Sequence, residues 1–354
     1  MIYRESGQFK TSYRADQAIF PIPQDRYALF ALLAFAFIAV PLGANDYWLG
    51  SILIPFLILS LAALGLNILT GYCGQLSLGS AAFMAVGAYA AYNFQLRLPE
   101  LPLLLDFLLA GLVAAAVGIV FGVPSLRIKG FYLAVATLAA QFFIEWALTK
   151  FGWFSNHSAS GVISPQPMTI LGYTLTTQAD KYLLVLGIVS VLALLAKNLV
   201  RSATGRAWMA VRDMDVAAEV IGIRILHTKL LAFAVSSFYC GVAGALWAFA
   251  YLGTVDAQAF DLNRSFQILF MVIIGGVGSI LGSFLGAAFI VLLPILLNLL
   301  GHLFGGAVRQ DVLSNLELIT FGALIIFFLI VEPHGLARLW QITKEKLRLW
   351  PFPH

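Results

Sequence analysis

The sequence predicts an all-α, polytopic integral membrane protein of about ten transmembrane helices, within a range of roughly eight to ten, and a short helical loop on the cytoplasmic side. Three observations predict it. Of the 354 residues, 61% are hydrophobic and 11% are charged, where soluble chains run about 45–50% and about 25%. So little charge cannot cover a soluble surface. Apolar stretches of roughly 20 residues, the length that crosses a bilayer core, recur along the chain. Lys and Arg gather in a few segments between those stretches, as they do in short cytoplasmic loops. A net charge of +4 spread in this way gives no basis for nucleic-acid binding. Cys73 and Cys240 lie within or beside apolar runs, too few for a disulfide or zinc framework, and read as small packing residues.

In chain order, residues 1–26 carry Arg4, Lys10, Arg14 and Arg26 without an apolar core of signal-peptide length, so a soluble cytoplasmic tail is expected. A transmembrane domain follows over 27–333, and 334–354 form a second cytoplasmic tail. Within the domain, spans are expected near 27–43, 47–69, 102–123, 131–149, 181–198, 229–251 and 312–331. The stretch 76–95 is apolar but rich in Gly, Ala and polar residues, and 265–300 is long enough for two helices turning near Gly278 to Gly282. With ten spans, the amino tail, Arg127 and Lys129, the six bases of 197–229 and the carboxyl tail all fall on one side. That side then holds sixteen of the 21 basic residues, and both termini are expected in the cytoplasm.

Two glycine features interrupt or pattern the spans. Thr70 to Gly79 form a glycine-rich polar break at membrane depth. Unpaired backbone there is tolerated only when buried in protein or lining a wet cavity, and broken helices often supply transport sites. Asn67, Gly71, Gly74, Gln75, Ser77 and Gly79 are therefore candidates for a translocation pathway, the alternative being a tight cytoplasmic turn. Gly278, Gly282 and Gly286, spaced by four, predict one flat helix face for close packing, and Gly118 with Gly122 repeats that spacing. Such a face fits packing within the chain or against a second subunit. The polar residues inside spans are Asn67, Asn93, Asp106, Gln141, Glu145, Gln267, Asn298 and Glu317. Asp106, Glu145 and Glu317 lie near predicted outer ends, where they are expected to reach headgroups or water. No carboxylate or histidine falls at mid-membrane, which weighs against a proton-driven carrier.

The loop over 199–228 is the one sizeable polar insertion between spans. Trp208 and Val211 stand at helical spacing. Asp213 and Asp215 suit the positive start of a second short helix, and Gly222 suits its end. Val216, Val220 and Ile221 add an apolar stripe beside Glu219 that can face a cytoplasmic partner; the alternative is a solvated basic loop held near anionic membrane lipid.

The run Arg206 to Phe233, with Ala217-Ala218-Glu219, Gly222 and Lys229-Leu230-Leu231-Ala232-Phe233, resembles the cytoplasmic coupling region of ATP-binding-cassette importer permeases, specifically the LivM type of branched-chain amino acid permease. Thr70-Gly71, Gly74-Gln75, Ser77-Leu78-Gly79, Ala81-Ala82-Phe83, Arg127 to Tyr132, Gly241 to Ala245, Gly275-Gly276 to Gly286 and Glu332 to Leu336 extend the resemblance over nearly the whole chain. The resemblance implies the membrane half of an importer. Its partners would be a sister permease of the LivH type, two cytoplasmic ATPase subunits and a periplasmic substrate-binding protein, in a bacterial inner membrane. Asp213, Asp215, Ala217, Ala218, Glu219 and Gly222 would be the ATPase-coupling residues.

Two departures concern substrate. Ser80 stands where the family often has His, and the outer loop Phe154 to Gly161 differs from the glycine-rich string of many members. Relatives of this superfamily resemble carriers of urea, short amides or aromatic acids, so those substrates stay open. ATP hydrolysis needs a phosphate-cradling loop ending in Gly-Lys, and no Gly-Lys pair occurs in the chain. No cofactor is expected on this chain, and ATP and Mg would be used by the partner subunits. A membrane enzyme is disfavoured because His157, His227, His302, His334 and His354 are scattered. A stand-alone carrier or channel is the other rival.

Overall fold

In the computed structural model, residues 11–12, 23–125, 131–158, 162–170, 172–303 and 335–349 are described, with 319–320, 322–324, 326–328 and 330. The expected link Arg127–Lys129, most of the amino tail, Glu317, Glu332 to His334 and most of the span 312–331 lie outside them. Helices dominate: α1 (Arg26–Gly43), α2 (Trp48–Tyr72), α3 (Ser80–Arg97), α4 (Leu103–Ser125), α5 (Phe131–Lys150), α6 (Gln178–Arg201), α7 (Ala203–Asp213), α8 (Asp215–Val220), α9 (Ile225–Leu252), α10 (Leu262–Gly275), α11 (Ile280–Leu303) and α12 (Gly335–Leu349). Among the described residues the β-structure is a two-residue antiparallel pair, β1 (Thr169–Ile170) with β2 (Tyr173–Thr174), in the loop between α5 and α6, and an isolated antiparallel bridge between Ile163 and Val255.

Seven helices among the described residues are long and apolar enough to cross a membrane: α1, α2, α4, α5, α6, α9 and α11. The remaining bundle helices, α3 and α10, are the less apolar and the shorter ones, so the count of ten is not established by length and hydropathy. The long stretch 265–300 is two helices, as expected, with the break at Gly276 to Ser279. Gly276 (φ 121°) and Gly278 (φ 80°) take backbone conformations that side chains disfavour. Gly278 thus stands in the turn before α11, and the single glycine face over Gly278, Gly282 and Gly286 is corrected to two residues, Gly282 and Gly286.

Burial ranks the helices. The spanning window of α2 is 89% buried and that of α1 is 0% buried, which puts α2 at the centre and leaves Leu32, Phe35 and Leu42 of α1 facing outward. An apolar helix without protein cover suits lipid or a second subunit. Small residues let the inner helices touch backbone to backbone. A Cβ on Gly87 of α3 would overlap Gly241 of α9, and one on Gly244 would overlap the Met84 carbonyl. Gly118 and Gly122 of α4 face Ser237, Phe233 and Leu230 of α9. Gly282 and Gly286 of α11 face the Gly275, Gly276 and Met271 carbonyls of α10, so this face packs within the chain.

At the end of the bundle opposite α7 and α8, α3 ties down the loop after α5. Asn93 Nδ2 donates to the Phe154 carbonyl at 3.1 Å, Arg97 donates to that of Trp153 at 3.1 Å, and Gln95 exchanges two hydrogen bonds with Gln166. Asp106 corrects an expectation: it lies in the first turn of α4 but is only 2% exposed, turned into protein instead of toward water. A carboxylate in the first turn sits at the favourable end of the helix dipole.

Candidate functional site: two helix breaks joined by a polar loop

The last turn of α2 widens into a π-helical turn over Ile68–Tyr72, and the chain then runs without regular structure until Ser80. Gly74 turns it with φ 71°. Several backbone groups of this irregular stretch are hydrogen-bonded. Gly74 N and Gln75 N donate to the Thr70 and Leu69 carbonyls, and Thr70 Oγ1 donates to the Gln75 carbonyl at 3.2 Å. Leu78 N donates to Thr137 Oγ1 at 2.9 Å and Gly79 N to Ser77 Oγ at 3.3 Å. At the start of α3, Ala81 N donates to Ser265 Oγ at 2.9 Å and Ala82 N to Gln141 Oε1 at 2.7 Å. These are the orphan N–H groups of a helix that begins inside protein. Gln141 stands midway along α5, so α3 starts at mid-depth, and the break climbs from the end of α2 to that level.

Asn67 holds the two breaks together. It is fully buried. Its Nδ2 donates to the Ser279 carbonyl at 2.8 Å and to Ser283 Oγ at 2.9 Å, while its Oδ1 accepts from Gly278 N at 2.8 Å. Gly71 lies against the same turn: a Cβ there would overlap both Asn67 Oδ1 and the Gly278 backbone. Only glycine lets the end of α2 approach the α10–α11 break this closely.

Arg212 closes the junction from outside. Its Nη1 donates to the Gly71 carbonyl at 2.9 Å, its Nη2 pairs with Asp213 at 2.8 Å, and Nη1 also lies 3.6 Å from the Cβ position of Gly278. A Cβ on Gly74 would sit 2.9 Å from Arg212 Cγ. The loop that carries α7 and α8 thus reaches both breaks through one side chain.

That loop is fixed to the bundle by an inward stripe. Gly205, Trp208 and Val211 are buried on one face of α7, and Trp208 Nε1 donates to the Thr228 carbonyl of α9 at 3.0 Å. Met214 adopts an extended conformation between α7 and α8. Helix α8 ends at a glycine C-cap: Gly222 has φ 91°, its N–H donates to the Glu219 carbonyl, and Ile223 N donates to that of Ala218. Ala218 is buried, whereas Asp213, Ala217, Glu219 and Gly222 are exposed and Asp215 half-buried. Beside them Met214, Val216, Val220 and Ile221 are 64–81% exposed.

Among the candidate pathway residues, Asn67 and Gly71 meet Gly278, and Gly74 meets Arg212. Gln75, Ser77 and Gly79 are packed in protein in this conformation, with Gln75 Oε1 lacking a partner among the described residues. Sequence reading missed Arg212, Ser279, Ser283, Ser265 and Thr137. Arg212 carried a usable signal, since it stands one turn after Trp208 beside the inward stripe. The serines carried none, because their partners are remote in sequence. Among the described residues no group of three His, Cys, Asp or Glu is placed to hold a metal.

Comparison with known proteins agrees with this architecture. Residues 48–329 match the family model described as the branched-chain amino acid transport system permease component. The high-affinity branched-chain amino acid transport system permease protein LivM of Salmonella typhimurium is 28% identical over 317 residues, covering 81% of this chain and 68% of that protein. LivM of Escherichia coli gives the same identity and coverage. The autoinducer 2 import system permease protein LsrC of an Enterobacter species is 28% identical over 271 residues, 74% of this chain and 75% of that protein. No solved structure matches. The chain is therefore a multi-pass membrane protein that belongs to the branched-chain amino acid transport system permease family.

Proposed function

We propose that this chain is the transmembrane subunit that moves branched-chain amino acids across the bacterial inner membrane in an ATP-binding-cassette importer. Its partners in this reading are a LivH-type sister permease, two cytoplasmic ATPase subunits that use ATP and Mg, and a periplasmic binding protein. The end carrying α7 and α8 faces the cytoplasm, with both termini on that side.

The observation that carries the reading is the two-sided cytoplasmic element. Its outer side presents Met214, Val216, Val220 and Ile221, a cluster of exposed apolar side chains on a polar loop, as a docking surface does. Its inner side places Arg212 on the Gly71 carbonyl. Closure of the ATPase pair would displace α8, and Arg212 would pass that displacement to the breaks at Gly71–Gly79 and Gly276–Ser279. Interrupted helices bend at such points without breaking regular hydrogen bonds, which suits alternating access. Asp213, Asp215, Ala217, Ala218, Glu219 and Gly222 form or shape the docking side. Asn67, Gly71, Gly74, Gln75, Ser77 and Gly79 form the moving break.

LsrC, named for autoinducer 2 import, is similar over 74% of this chain, so cargo has to be established by transport itself. The test is reconstitution in proteoliposomes with labelled leucine, isoleucine and valine. Uptake that requires ATP, the ATPase pair, the sister permease and the loaded binding protein is expected. Transport by this chain alone would contradict the reading, and ATP-driven uptake restricted to another cargo would contradict its substrate.

A further inference from the structure

Arg264 makes no close ion pair among the described residues, and the neighbouring Asp261 carboxylate acts on it through space. Arg264 stands in the first turn of α10, the positive end of the helix dipole, where a cation is disfavoured. It is half-buried. Asp261 compensates part of that charge without touching the guanidinium; its Oδ1 accepts from Arg264 N at 3.0 Å and its Oδ2 from Asn263 Nδ2 at 2.8 Å. Of the five guanidinium N–H donors, one has a recorded acceptor, Gln267 Oε1 at 2.8 Å from Nη1.

The guanidinium carbon lies 4.5 Å from the centre of the Trp247 ring, a cation–π contact that offsets part of its desolvation. Trp247 is itself 3% exposed, and its Nε1 has no acceptor. A buried indole N–H without an acceptor costs the full desolvation of that donor. Trp247 opens the π-helical turn Trp247–Leu252 at the end of α9, with the Tyr251 ring 4.5 Å away. Two neighbouring groups, one charged and one buried, therefore carry N–H donors that no acceptor among the described residues fills. Trp247 stands near the end of α9 remote from α7 and α8, and Arg264 beside Ser265, which bonds Ala81 N and Gln141 at the mid-depth start of α3.

We propose that Arg264 and Trp247 form a carboxylate-binding site beside the mid-depth start of α3, which receives the carboxylate of the imported small molecule. Arg264 supplies charge-assisted hydrogen bonds and Trp247 one indole hydrogen bond, with Tyr251 along the apolar side. The proposal rests on the importer reading for the identity of the cargo; the ligand class rests on the donors alone.

The test uses the purified, complete importer without its binding protein, so that selectivity of the soluble receptor does not enter. Saturation-transfer NMR would be recorded with leucine, with isovalerate (carboxylate only) and with isoamylamine (ammonium only). Leucine and isovalerate are expected to bind and compete, and isoamylamine to give no signal. Arg264→Gln should weaken isovalerate binding by about 10- to 100-fold, as for a lost hydrogen bond to a charged group. Arg264→Lys should keep part of it, and Trp247→Phe should weaken it with the ring retained. Binding of isoamylamine equal to that of isovalerate, or unchanged binding in Arg264→Gln, would overturn the site. If Arg264-dependent isovalerate binding persists while the wild type takes up no branched-chain amino acid, the cargo assignment falls and the carboxylate site stands.

Discussion

Asn67 and Gly71 do different work at one junction. The Asn67 side chain makes three hydrogen bonds to Gly278, Ser279 and Ser283, and its replacement leaves the half-buried Gly278 N–H without that acceptor. At about 1 kcal/mol for each bond plus the desolvation of that donor, Asn67→Ala is expected to destabilise the fold by about 2–4 kcal/mol, read as a lower thermal midpoint of the detergent-solubilised complex. Gly71→Ala adds a single methyl, yet that methyl meets Gly278 backbone and Asn67 Oδ1, the latter on a side chain pinned by three hydrogen bonds. It should cost stability to a similar degree and shift α2 away from the α10–α11 turn. Gly222→Ala meets nothing within 4 Å, so its cost is the left-handed backbone alone, about 1 kcal/mol. A Gly222→Ala penalty equal to that of Gly71→Ala in the same melting assay would show that close approach is not what selects glycine at Gly71.

At the scale of the element, α7 and α8 are held on one side and free on the other. Trp208 and Arg212 fix α7 to α9 and to the end of α2, and the glycine cap at Gly222 returns the chain to α9. Val220 and Ile221, at 81% and 73% exposure, make no demand on folding. The double substitution Val220→Asp, Ile221→Asp should leave the chain folded and in the membrane while removing co-purification of the ATPase subunits. Retained co-purification with unchanged ATP hydrolysis would exclude this surface as the docking site.

The same element shows which features sequence carries. Its two short helices, the stop at Gly222 and the outward stripe of Val216, Val220 and Ile221 were legible because periodicity and turn chemistry are local. The break at Thr70–Gly79 was legible for the same reason. Its closure was not: Asn67 with Gly278, Leu78 with Thr137 and Ala81 with Ser265 pair residues whose contact depends on how the bundle folds. The glycine spacing over Gly278, Gly282 and Gly286 pointed to one helix face, but periodicity cannot place the turn, and Gly278 belongs to it. Asp106 was placed by its position near a span end, and which way that end faces is a property of its neighbours.

Across the whole molecule, the chain is a bundle around a buried α2, with two interrupted helices that meet at the cytoplasmic loop. The family is settled by similarity over most of the chain, while the coupling route is a claim about physical contact. Coupling energies between distant sites run to about 1–3 kcal/mol, well within what one charged hydrogen bond supplies. The most direct test is the ratio of leucine molecules taken up to ATP hydrolysed in proteoliposomes holding the complete importer with Arg212→Ala. Binding-protein-stimulated hydrolysis should continue, with uptake per ATP lower by about 10-fold or more. An unchanged ratio would contradict the claim that the cytoplasmic loop drives the helix breaks through Arg212.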